Sequence, residues 1–190
     1  MRGIIPMEKK LPFVQYNSPL GEKILYQQSK KVDNIKAKQT QDLIAEMKEK
    51  MMGHGIGLAA NQIGHPLQIF MIHYTENKNS LYHTDRYKLS LPEVEFQVFI
   101  NPKIKKVSSE LISFWHGCLS AINYPLGKVA TYKWIDYEAQ DSQGKTISSR
   151  LDNLAAVIFQ HEFRHLLGQL YLDQTDIFVE RCEFNKLLKL

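Results

Sequence analysis

The sequence predicts an α+β protein, with mixed or antiparallel sheets packed around a central buried helix and a second helix nearer the N-terminus. Three observations predict it. The run from Leu151 to Leu167 has no Gly or Pro and is dense in Leu, Ala, Val, Ile and Phe, so it reads as one buried helix. Several short apolar runs bounded by Asn, Asp, Pro or Gly read as strands. No repeat, low-complexity tract or linker interrupts the 190 residues, so a single domain over 1–190 is expected.

Taken in order, residues 1–38 are turn-rich, with Asn17-Ser18-Pro19-Leu20-Gly21 the clearest break. From Thr40 to Met52, Leu43, Ile44, Met47 and Met51 recur at helical period, with Thr40 as the expected N-cap. A Gly-rich loop follows from Gly53 to Gly64, then a buried strand over Leu67–Ile72. Thr75–Glu95 is polar and reads as a surface excursion. A second strand over Phe96–Ile100 is expected to stop at Asn101-Pro102, because proline has no N–H for a ladder. Ile104–Phe114 reads as strand with a turn, and Val129–Ala139 as one strand ending in the turn Asp141–Gly144. The central helix comes next, and Gly168 stops it.

Composition narrows the function classes. The net charge is +4 with both signs interspersed, too mild a bias for a nucleic-acid or membrane-surface binder. No apolar run approaches the ~18 residues of a membrane span. The opening Met1-Arg2-Gly3-Ile4-Ile5-Pro6 is too interrupted for a signal peptide, and two cysteines, Cys118 and Cys182, form no disulfide framework. The expected compartment is the cytoplasm.

The chemistry concentrates in Gln160-His161-Glu162-Phe163-Arg164-His165-Leu166-Leu167-Gly168. On a helix, i and i+4 put His161 and His165 on one face a turn apart, within reach of one metal ion, with Glu162 beside them as a general base for water. A catalytic ion keeps one position open, so two histidines need one further protein ligand. Spacing alone leaves that ligand open between Cys118, in Trp115-His116-Gly117-Cys118-Leu119-Ser120, and the downstream acids Asp173, Asp176, Glu180 and Glu183.

Three segments resemble peptide deformylases in content, order and approximate separation. They are Gly55-Ile56-Gly57-Leu58-Ala59-Ala60-Asn61-Gln62, Gly117-Cys118-Leu119-Ser120, and Gln160-His161-Glu162 with His165-Leu166 and Gly168. The family motifs are GxGLAAxQ, EGCLS and QHExDHLxG. The resemblance implies a ferrous (or zinc) ion held by Cys118, His161 and His165, and hydrolysis of the N-formyl group of formyl-methionyl nascent peptides. It implies Glu162 as the base, with Gln62 and the Leu119 N–H stabilising the oxyanion. It also implies a peptide added as a strand along Gly55-Ile56-Gly57. Leu154, Val157 and Ile158, on the His161 face of the helix, are expected beside the methionine side chain. Ribosome docking and oligomeric state are left open.

Two motif positions depart from the pattern. His116 stands where the family has an acid before Gly-Cys-Leu-Ser, and Arg164 replaces the acid of HExDH. The segment Ala121–Thr131 also lacks the family's Arg. The expectation is a rewired network behind the metal ligands, with Arg164 supplying the cation. Two readings compete with the deformylase: an HExxH metallopeptidase using an acidic third ligand, and a non-catalytic peptide-binding relative.

Overall fold

A computed structural model of the protein describes residues 12–76 and 91–187, apart from the side chains of Asn185 and Leu187. The part of the expected surface excursion over 77–90 lies outside the described residues. The helices are α1 (Pro19–Leu25), α2 (Lys38–Met51), α3 (Asn153–Leu166) and α4 (Arg181–Leu187). The strands are β1 (Gly57–Ala59), β2 (Ile69–Tyr74), β3 (Val94–Val107), β4 (Leu111–His116), β5 (Leu126–Tyr132), β6 (Trp134–Gln140), β7 (Thr146–Asp152) and β8 (Phe178–Val179). They form a five-stranded antiparallel sheet, β1-β2-β3-β6-β7, and a three-stranded antiparallel sheet, β4-β5-β8.

Side-chain alternation on the larger sheet builds two cores. From β2, Ile69 and Met71 join Leu43, Ile44, Met47 and Met51 of α2 in one buried cluster. Phe70 and Ile72 face the other way and join α3 in a second cluster, where Phe159 meets Phe70 and Phe99 edge-on, with ring centroids 4.9 and 5.0 Å apart. Helix α3 touches strands of both sheets and is buried on most of its circumference, as its all-round apolar sequence requires. Its end is a Schellman turn. Gly168, at φ 72°, donates to the His165 carbonyl, and Gln169 donates to the Arg164 carbonyl. A Cβ at Gly168 would also stand 2.8 Å from the Tyr26 carbonyl carbon, so glycine is needed for space as well as for φ.

Several boundaries differ from the sequence expectation, each for a local reason. Asn17–Gly21 contains a helix start: Ser18 caps α1 by accepting from the Gly21 N–H, with Pro19 in the first turn. Helix α2 begins at Lys38 behind Ala37, and the Thr40 hydroxyl donates to the Asn34 carbonyl and is no N-cap. Strand β3 runs on through Asn101-Pro102, because those residues fall in a bulge between Ile100 and Lys103 where proline's missing N–H interrupts no ladder bond. Asn101 holds the bulge at φ 51° by bonding Val32 and Gln140. The stretch expected as one strand breaks at Lys133 into β5 and β6, which belong to different sheets. Leu151 belongs to β7, which runs to Asp152, and α3 starts at Asn153.

Candidate active site

Strand β4 ends at His116, and Gly117 leads to Cys118, which opens a one-turn 3-10 helix over Leu119–Ala121. That turn brings Cys118 to the inner face of α3. The Cys118 Sγ lies 3.3 Å from His165 Nε2, and the ligand atoms of Cys118, His161 and His165 all lie within 4.8 Å of one another. This is the cluster of three candidate metal ligands among the described residues. The acidic candidates stand outside it. Asp173 is occupied in capping its own short turn, accepting from the Leu170 N–H.

Electrostatics suit the donor set to a metal. Burial pushes the Cys118 thiol up to about 12, opposed by the Ser120 N–H that donates to its sulfur. Burial holds His161 down to about 4 and His165 well below its usual value, so both imidazoles are neutral with a lone pair free to ligate. A buried thiol beside two neutral imidazoles fits a borderline cation such as zinc or ferrous iron, which deprotonates the thiol on binding.

Glu162 is 3 % exposed, its Oε2 has no hydrogen-bond partner among the described residues, and burial raises its carboxyl well above the usual range. The space it fills depends on Gly57. A Cβ there would stand 2.8 Å from the Glu162 carboxyl carbon. Gln62, in the 3-10 turn Ala60–Ile63, is pinned at both ends of its amide. Its Oε1 accepts from the Ala59 N–H at 2.8 Å, which turns its Nε2 toward Cys118 Sγ at 3.3 Å. The adjacent Asn61 donates to the His165 carbonyl at 2.7 Å and fastens this turn to the end of α3.

A cavity of about 370 Å³ opens over these groups, lined among others by Gly55, Ile56, Gly57, Gln62, Cys118, Leu119, His161 and Glu162. Leu119 is the first residue of its short helix, so its N–H has no partner within that helix. Strand β1 lies at the edge of its sheet, beside the cavity wall formed by Gly55–Gly57. Leu154, Val157 and Ile158 do not line this cavity. They are buried in the α3 core cluster, against which the cavity residue Ile56 packs. Sequence reasoning gave no cavity role to His54, Ile122 or Arg181, which with Gly117 complete the lining; Arg181 comes from α4, too far along the chain for spacing to connect it.

Behind the ligands, the expected Arg164 network is absent. Arg164 is half-buried, its side chain makes no ion pair or hydrogen bond among the described residues, and burial lowers its pKa. His161 is instead met by His116, Nδ1 to Nδ1 at 3.0 Å, one donating and one accepting, with the rings stacked at 5.2 Å. If His161 ligates through Nε2, its Nδ1 carries the proton and donates to His116. His116 is buried, its own Nε2 has no partner among the described residues, and burial and the nearby His161 hold its pKa well down.

With this geometry in hand, comparison with known proteins decides the family. The polypeptide deformylase family model matches residues 11–180. The chain belongs to the peptide deformylase family. It is 36 % identical to the peptide deformylase of Bifidobacterium adolescentis, over 90 % of this chain and 75 % of that one. It is 33 % identical to peptide deformylase 2 of a Nostoc species, over 87 % and 86 %. The solved structure of the Synechococcus elongatus deformylase in complex with actinonin superposes with a TM-score of 0.69 at 29 % identity, covering 99 % of this chain and 90 % of that one. A class I type b deformylase from Acinetobacter baumannii gives a TM-score of 0.76 over 86 % of this chain and 97 % of that one; at 24 % identity it speaks for the fold. The protein is accordingly a metal-dependent hydrolase that removes the N-formyl group from nascent peptides. No helix among the described residues is long and apolar enough to cross a membrane.

Proposed function

We propose that Cys118, His161 and His165 hold one divalent ion per chain, ferrous iron (or zinc), and that Glu162 is the proton-transferring residue of deformylation. The carrying observation is the buried, unpartnered Glu162 oxygen beside three donor atoms that lie within 4.8 Å of one another. When bound, the ion supplies Lewis acidity and makes a water acidic enough to attack at neutral pH. Glu162 accepts the proton of the attacking water, and its raised affinity for that proton suits it to carry the proton to the departing amine. The Gln62 amide and the Leu119 N–H donate to the oxygen of the formyl group as it gains charge. Gln62 enters this role already oriented, because Ala59 fixes which end of its amide faces the site.

The peptide adds as a strand along Gly55-Ile56-Gly57, whose strand β1 is an edge. The methionine side chain lies against Ile56, the apolar residue of the cavity wall that packs on the core of Leu154, Val157 and Ile158. His116, through His161, sets the orientation of that ligand. The whole chain, 1–190, acts as one catalytic domain in the cytoplasm on formyl-methionyl peptides, including those emerging from the ribosome.

The test is anaerobic purification with metal analysis of the wild type, Cys118→Ser and Glu183→Gln. Metal lost in Cys118→Ser and kept in Glu183→Gln is the expected result. The reverse pattern returns the site to an acidic-ligand peptidase.

A further inference from the structure

We propose that Arg181 reads a carboxylate on the substrate beyond its formyl-methionine end, so that formyl peptides carrying a negative charge just after methionine are preferred. The inference rests on the deformylase reading of the cavity and adds to it a substrate class. Arg181 stands at the start of α4, is exposed, and lines the cavity. Its Nε donates to the Tyr124 carbonyl at 3.2 Å, which anchors the guanidinium by its inner nitrogen. The two outer nitrogens lie over Gly117. A Cβ at that position would stand 3.0 Å from Nη2 and 3.5 Å from Nη1, so a side chain there would push the fork outward by a few tenths of an ångström.

No acidic group among the described residues neutralises this cation. Among the described residues Arg181 makes no ion pair, and the one carboxyl of the cavity lining, Glu162, belongs to the inner end with Cys118 and His161. The cavity is thus polarised along its length: ligating and proton-transferring groups at the buried end, and a permanent cation at the exposed rim with His54. A peptide whose formyl group sits at the inner end leaves between Gly55–Gly57 on one wall and Gly117 on the other. What arrives at the rim belongs to the residues after methionine. A guanidinium with both outer nitrogens free matches a carboxylate with two parallel hydrogen bonds, a geometry that lysine cannot reproduce.

The carboxylate has two sources: the free C-terminus of a short peptide, or an Asp or Glu side chain in a longer one. The experiment compares formyl-Met-Ala-Ser as free acid, the same peptide as C-terminal amide, and formyl-Met-Ala-Glu amide, on metal-loaded wild type, Arg181→Ala and Arg181→Lys. In the wild type, KM for a carboxylate-bearing peptide is expected to be roughly three- to fivefold below that for the neutral amide, the upper range for an exposed ion pair. The advantage should vanish in Arg181→Ala with kcat unchanged, survive partly in Arg181→Lys, and shrink with added salt. An advantage for the free acid alone assigns the C-terminal carboxylate; an advantage for both charged peptides assigns any nearby carboxylate. Equal KM for acid and amide in the wild type, or an equal rise in KM for the neutral amide in Arg181→Ala, overturns the proposal. Calorimetric binding of the deformylated Met-Ala-Ser acid and amide runs in parallel. Arg181-dependent preference for the acid without formate release from any peptide would sink the deformylase reading while leaving this inference standing.

Discussion

Two regions flank the same pair of histidines and are built in opposite ways. On the cavity side, from Gly55 to Gln62, polar groups are held by defined partners: Gln62 by Ala59, and Asn61 by the His165 carbonyl. Glu162 there fills the space left by the absent side chain at Gly57. On the far side, around His116 and Arg164, the polar groups are incompletely satisfied. Among the described residues His116 Nε2 has no partner and the Arg164 side chain makes no ion pair. The cavity side also keeps open polar capacity, at Glu162 Oε2 and Asn61 Oδ1 among the described residues, but there Gln62 and the Glu162 carboxyl are each held in place by a close neighbour. The groups that only support His161 carry unmet hydrogen-bonding capacity, which costs stability but leaves the reactive set intact.

Three substitutions test that contrast. On the cavity side, Gln62→Leu removes a pre-oriented donor and should lower kcat by about 10²–10³-fold with metal content unchanged. A drop below threefold would show that the amide does not meet the developing charge. Gly57→Ala acts without touching a reactive group. Its methyl must displace the Glu162 carboxyl, and a misplacement on the scale of 1 Å costs about 10²-fold in kcat. Preserved kcat in a folded Gly57→Ala protein would mean that the carboxyl has room to move. On the far side, His116→Ala should weaken metal affinity by about 10-fold or somewhat more, within the range for removing a ligand's hydrogen-bond partner. Competition with a chelator reads this directly, and an unchanged affinity would show that the His116–His161 contact is passive.

The smallest effect is on stability. In the folded metal-free protein His161 is held down to about 4, whereas in the unfolded chain it titrates near 6.5. Below pH ~6.5 the unfolded state therefore binds a proton that the folded state refuses, and stability falls as the pH drops toward 4. His116 and His165 shift in the same direction. Glu162 opposes them, since its raised pKa keeps a proton in the folded state above 4.5 and costs stability as the pH rises. Three groups against one leave a net loss on acidification, so the metal-free Tm should be lower near pH 5 than near pH 7. A Tm that rises on acidification would place the Glu162 contribution above all three histidines.

Much of the site was legible in the sequence because its chemistry follows helix spacing: His161, Glu162 and His165 share a face whatever the rest of the fold does. Where local signals serve two structures, the sequence misled. Ser18-Pro19 marks a turn and also opens a helix, and it opens α1. Asn101-Pro102 ends most strands, yet here it occupies a bulge inside β3. The break at Lys133 is invisible because apolar residues continue on both sides of it, while the two halves pair in different sheets. The altered motif positions were visible as departures, but not the partner of His161. Charge suggested Arg164, and the fold supplied His116 instead, because β4 delivers that residue directly against α3. Arg181 carried no signal, since only the packing of α4 over Gly117 brings it to the cavity.

The most direct test of the separation between holding the metal and moving the proton is Glu162→Ala. Metal content and formate release from a formyl-methionyl peptide are measured on the same anaerobic preparation. The account predicts one ion per chain retained, with turnover lowered by about 10²–10⁴-fold, the usual contribution of a general base. Turnover within a fewfold of wild type, at full metal occupancy, would contradict it.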